Sequence, residues 1–104
     1  MDKTAWTDIT ENPVIVDFTG CKYVSDIYNV IRKSFGFPAY YGKNWDAFWD
    51  CIQDFFNDHG SWAVEIHGYC SLTEEFQQYL KPMFDLLKEV EDTYSDVFVS
   101  VTVK

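Results

Sequence analysis

The sequence predicts an α/β fold in which three strands form a parallel sheet flanked by helices. Two observations carry that prediction. Three short apolar or β-branched runs, at residues 13–18, 62–67 and 97–103, lie far apart along the chain. Between them run segments whose apolar residues recur at three- and four-residue spacing, the helical period. Strands joined through helices return in the same direction by right-handed crossovers, so the sheet is parallel. At 104 residues the chain is expected to be one domain, 1–104, with a single modest core.

The first run holds Val14, Ile15, Val16 and Phe18, stops at Thr19 and Gly20, and reads as a buried strand. Residues 23–35 follow with Val24, Ile27, Tyr28, Ile31 and Phe35 on one helical face. Ser25 is the expected cap, unless the helix starts a little earlier, and Gly36 closes it. Pro38 confines Phe37 to extended geometry and opens a loop over 37–43. Asn44 suits the N-cap of a second helix over 45–57. The run 62–67 is the second strand. Ser71 and Glu74 fit a capping box for a helical stretch over 72–94, which Pro82 should kink or divide. Residues 97–103, alternating and β-branched, form the last strand.

Composition narrows the function. Hydrophobic residues make up 47% and aromatics 19%, which suits a packed core and excludes a disordered acidic tail. A formal net charge of −9 argues against nucleic-acid binding, which needs clustered Lys and Arg, and favours a basic protein partner. No apolar run approaches the ~20 residues that span a bilayer, so no membrane association is expected. The first residues lack the basic and apolar regions of a secretory signal. Cys21, Cys51 and Cys70 are odd in number and widely spaced, which fits reduced thiols in a cytoplasmic protein.

The second helix has two unlike faces. At about 100° per residue, Trp45, Phe48, Trp49, Ile52, Phe55 and Phe56 share one arc and face the core. Trp49 sits at the edge of that arc, next to the acids. Asp46, Asp50, Asp54 and Asp58 recur every four residues on the other side, with Gln53 and Asn57 between them. No Lys or Arg occurs from Asn44 through Leu80 to offset these charges. Like charges one turn apart cost about 0.2–0.5 kcal/mol per pair, so three pairs cost roughly 1 kcal/mol. Only Asp46 is compensated, by the positive end of the helix dipole. A solvated helix would ordinarily mix in lysines, so the ladder points to a cationic partner.

Tyr40 and Tyr41 lie in the loop just before this helix. Adjacent residues in an extended loop point apart, so at least one tyrosine is presented, and such rings commonly anchor interfaces. Gly42 lets a partner reach the backbone beside them. Catalysis finds little support: His59, in the polar turn before the second strand, and His67, at that strand's end, belong to no nucleophile motif. Two carboxylates on one helix face do not flank a scissile bond. A metal site built from Asn44, Asp46 and Asp50 lacks the spaced acidic loop that Ca²⁺ prefers. No catalytic residue, metal or cofactor is therefore assigned.

Residues 40–50 match the pattern Tyr-Tyr-Gly-x-Asn-x-Asp-Ala-x-Trp-Asp, and this resembles the signature of the barstar family, intracellular inhibitors of secreted bacterial ribonucleases. The resemblance implies a barstar-like fold, the three-stranded parallel sheet flanked by helices already expected. It implies an inhibitor that blocks the active site of a cognate ribonuclease; the free protein is expected to be monomeric. Tyr40, Gly42, Asn44, Asp46, Trp49 and Asp50 would fall on the inhibitor's loop and helix. Asp50 would enter the phosphate pocket as a phosphate mimic, with Asp46 pairing with the basic groups beside it. Tyr41 and Gln53 complete the candidate set. Lys43 is a departure, a cation within the presented loop. The alternative partner is another basic toxin, against which the protein would act as an immunity protein or binding module.

Overall fold

The computed structural model describes residues 12–38 and 44–104. Along them run β1 (Val14–Asp17), α1 (Val24–Phe35), α2 (Trp45–His59), β2 (Trp62–His67), a 3₁₀ turn at Tyr69–Ser71, α3 (Glu74–Tyr79), α4 (Lys81–Thr93) and β3 (Val99–Val103). β2 lies between the other two strands and pairs with both in parallel, with Val14 beside Val64 and Val64 beside Val101. The three-stranded parallel sheet with flanking helices is thus the one that alternating strand and helix periods imply.

Side chains alternate across a strand, so register decides which face is buried. Val14, Val16, Val64 and Ile66 are buried together, whereas Ile15 is 47% exposed. The same cluster takes in Ile27, Tyr28, Ile31 and Phe35 of α1, five residues of α2, and Met83, Leu87 and Val90 of α4. Two layers result, with the buried faces of the helices gathered on one side of the sheet. Aromatic rings fill much of the space between them. Phe35 stacks on Phe37 at 5.4 Å and meets Phe55 edge-on at 5.2 Å.

Helix ends depart from expectation for identifiable reasons. α1 takes the earlier of its two expected starts, at Val24 with Tyr23 as its cap, and Ser25 lies inside the first turn. The third helical residue does the capping work: the Asp26 carboxylate accepts the Lys22 and Tyr23 N–H groups, each at 3.0 Å. Gly36, at φ 73°, ends the helix as expected, and the Phe37 N–H bonds back to the Arg32 carbonyl at 2.9 Å.

α2 runs two residues past its expected end, to His59. That histidine belongs to the helix, where its ring stacks on Phe55 at 4.1 Å and its Nδ1 lies 2.8 Å from the Phe55 carbonyl. The stretch 72–94 divides at Leu80, and Pro82 occupies the first turn of α4, where a missing N–H costs no helical bond. Thr73 caps α3 in place of Ser71, accepting the Phe76 N–H at 3.3 Å. Ser71 instead donates its hydroxyl to the Gly68 carbonyl at 2.7 Å, within the 3₁₀ turn. β3 is shorter than expected because Val97 is still in the turn, its N–H on the Tyr94 carbonyl at 3.0 Å.

Candidate functional site

The site is built on the rotation of α2. Asn44 starts the helix as expected: its Oδ1 accepts the Ala47 N–H at 2.8 Å, and its carbonyl accepts the Phe48 N–H at 3.1 Å. Phe48, Ile52, Phe55 and Phe56 are each 0% exposed, and Cys51 is buried beside them. Four locked positions along about two turns leave the helix no freedom to roll. With that face fixed, Asp46 and Asp50 point outward and are exposed. Neither carboxylate meets a cation among the described residues. Asp54 is half-buried, because a four-residue step advances about 40° per repeat and the ladder winds toward its neighbours.

The two tryptophans straddle the boundary between core and surface. Trp45 is half-buried, with Tyr28, Tyr79 and Phe48 around it at centroid distances of 5.1, 5.5 and 5.6 Å. Trp49 is half-buried too and packs against the core at its edge. Gln53 is engaged within the chain. Its Nε2 donates to the Trp49 carbonyl at 3.3 Å, and its Oε1 accepts the Tyr94 hydroxyl at 2.9 Å.

Tyr40, Tyr41 and Gly42 lie outside the described residues. On the near side of their segment, Phe37 and Pro38 are buried, and on the far side Asn44 caps α2.

One part of the surface carried no signal in the sequence. A cleft of about 300 Å³ opens between α2 and α4, lined by Trp45, Asp46, Trp49, Pro82, Asp85 and Leu86. The exposed Asp85 carboxylate thereby joins the surface that Asp46 begins. Only the tertiary packing of α4 on α2 reveals this, since nothing in the local pattern around Asp85 distinguishes it from other helical acids.

Elsewhere the titratable groups serve local structure. Thr19 draws Asp17 below the usual carboxylate range, its N–H reaching Oδ1 at 2.9 Å. Burial, with Asp26 and Asp17 nearby, pushes the Cys21 thiol up. No disulfide joins Cys21, Cys51 and Cys70. His67 sits beside Glu65 at 3.0 Å, on the sheet rather than near α2's acids. Among the described residues no group of three His, Cys, Asp or Glu could hold a metal ion, and no helix is long and apolar enough to cross a membrane.

Fold and site together define an acidic α/β protein that holds a carboxylate-bearing helix out to solvent from an aromatic core. The model of the Barstar family, described as barnase inhibitor, matches residues 12–104, and the chain belongs to that family. It is also similar to a Bacillus subtilis (strain 168) protein named "Putative ribonuclease inhibitor YrdF", with 26% identity over 91 residues, covering 73% of this chain and 97% of that one.

Proposed function

We propose that this protein inhibits a basic bacterial ribonuclease by filling its active site with the outer face of α2. One observation carries the proposal: Asp46 and Asp50 stand exposed, one turn apart, with no cation of their own among the described residues, on a helix locked by its other face. Membership in a family described as barnase inhibitor supports the choice of target class. A ribonuclease must hold a polyanion, so its cleft concentrates Arg, Lys and His aimed at phosphates. Carboxylates at phosphate-like positions satisfy those groups and offer no bond to cleave.

In this proposal Asp50 is the deep anchor and Asp46 its flank. Trp49 supplies an apolar shoulder, and Asn44 fixes the helix start. Tyr40, Tyr41 and Gly42 form the rim that excludes water. Asp85, across the cleft, extends the acidic surface onto α4. Because α2 is already rigid, little ordering cost opposes binding. The protein acts in the cytoplasm as a monomer, protecting the cell's own RNA, and has no catalytic activity.

The test is to immobilise the protein, capture its partner from the source cells, and assay RNA cleavage by that partner with and without added protein. Cleavage should fall in proportion to inhibitor up to one equivalent, and Asp50→Ala should restore it. A captured partner that is basic but cleaves no RNA would replace the ribonuclease with another toxin. Capture that survives both Asp46→Ala and Asp50→Ala would end the acidic-helix account.

A further inference from the structure

We propose that Tyr94 is a positioning residue whose hydroxyl holds the Gln53 amide away from Asp50, keeping that carboxylate available to the partner; the functional part of this inference rests on Asp50 being the anchor. Gln53 lies three residues after Asp50 on α2. Side chains three apart on a helix are surface neighbours, and a glutamine amide readily donates to a carboxylate at such spacing. A hydrogen bond of that kind would satisfy Asp50 from within the chain, and a partner cation would then have to displace it.

The structure shows what prevents this. The Tyr94 hydroxyl donates to Gln53 Oε1 at 2.9 Å, and the amide is turned so that Nε2 donates to the Trp49 carbonyl at 3.3 Å. Both ends of the amide are therefore engaged, and neither of these bonds goes to the Asp50 carboxylate. Asp50 itself is exposed and accepts nothing among the described residues.

Tyr94 is well placed to act as this latch. It caps α4, its N–H bonds the Val90 carbonyl at 2.9 Å, and its own carbonyl accepts the Val97 N–H at 3.0 Å. Its backbone is thus tied on both sides of the turn into β3. The half-buried ring spans the gap to α2 across 41 residues of sequence. A phenol is suited to the task, because a rigid ring with one terminal donor loses little rotamer freedom when held.

Simple bracing of α4 against α2 is the competing explanation, and a rescue experiment separates the two. In Tyr94→Phe, inhibition of the captured ribonuclease should weaken roughly two- to tenfold, the range of one net hydrogen bond. Adding Gln53→Met should recover most of that loss, since an apolar side chain of similar length has no amide to offer Asp50. A brace predicts the opposite, because the double variant lacks both partners and gains nothing.

A partner-free signature accompanies it. In Tyr94→Phe the Gln53 side-chain amide resonances should move, and a further Asp50→Ala, which leaves no acceptor at that position, should move them again. If the resonances respond to Asp50→Ala in that background but Tyr94→Phe does not change inhibition, the latch exists and the assignment of Asp50 as anchor is wrong. If they stay put, or Gln53→Met brings no recovery where Tyr94→Phe weakens inhibition, the latch is refuted while the proposed inhibition stands.

Discussion

The carboxylates of α2 and those of the open sheet face are treated in opposite ways. On the sheet, Glu65 lies 3.0 Å from His67 Nε2 and 3.6 Å from Lys104 Nζ, and Asp17 accepts the Thr19 N–H. His67, with help from Lys104, draws Glu65 below the usual carboxylate range. On α2, Asp46 and Asp50 are exposed one turn apart with no cation supplied among the described residues. Cations are scarce in this chain, 8 Lys and Arg against 17 Asp and Glu, so what sets Asp46 and Asp50 apart is their one-turn spacing on a helix whose other face is locked. The unmatched acids carry a repulsive cost in the free protein, and such a cost is offset only when something cationic arrives.

The contrast breaks most directly at Asp50. Asp50→Ala should weaken partner binding by about 2–5 kcal/mol, the range for truncating one member of a desolvated charge pair. Asp54→Ala should cost less than about 1 kcal/mol, as expected for a charge at the margin of an interface. Titration calorimetry of both variants against the captured ribonuclease makes the comparison. A larger loss for Asp54 would mean that α2 presents a different arc to the partner from the one its buried residues dictate.

The same residue should behave oppositely in the free protein. Asp50→Asn removes two like-charge contacts, with Asp46 and Asp54, and should raise stability by about 0.4–1 kcal/mol. Thermal or denaturant unfolding at low ionic strength reads this directly. A loss of stability would show that Asp50 supports the fold, and the contrast between the two surfaces would dissolve.

Much of this was legible beforehand because the signals were local. A short apolar run marked β1, alternating β-branched residues marked β3, and the aromatic stripe fixed which side of α2 is buried, down to Trp49 at its edge. Asn44 announced its own cap, since a side chain that bonds an amide three residues on needs no tertiary partner. What the sequence hid was non-local. Ser71 and Thr73 both precede an acidic helical start, and only the 3₁₀ turn, which occupies the Ser71 hydroxyl, decides between them. Pro82 was ambiguous because a proline kinks a helix from its interior but fits the first turn of a new one. Asp85 beside Asp46, and Tyr94 reaching Gln53, depend on how α4 lies across α2, which no pattern along α4 records.

The sheet side of the comparison can be sharpened at Glu65, with the smallest expected effect. Its carboxyl is held below the ordinary range in the folded protein, so the unfolded chain binds that proton more readily. The stability it contributes is therefore present above the unfolded carboxylate pKa and is lost as pH falls through the folded value. Glu65→Gln keeps the shape and removes the charge. The variant should melt slightly below the parent at neutral pH, and the two Tm values should converge as pH is lowered through about 4 toward 3. A gap that stays constant across that range would assign the effect to packing of the side chain on the sheet. Convergence at Glu65, set beside stabilisation at Asp50→Asn, would show one protein using the same chemical group to hold its fold on one surface while leaving it unsatisfied on another.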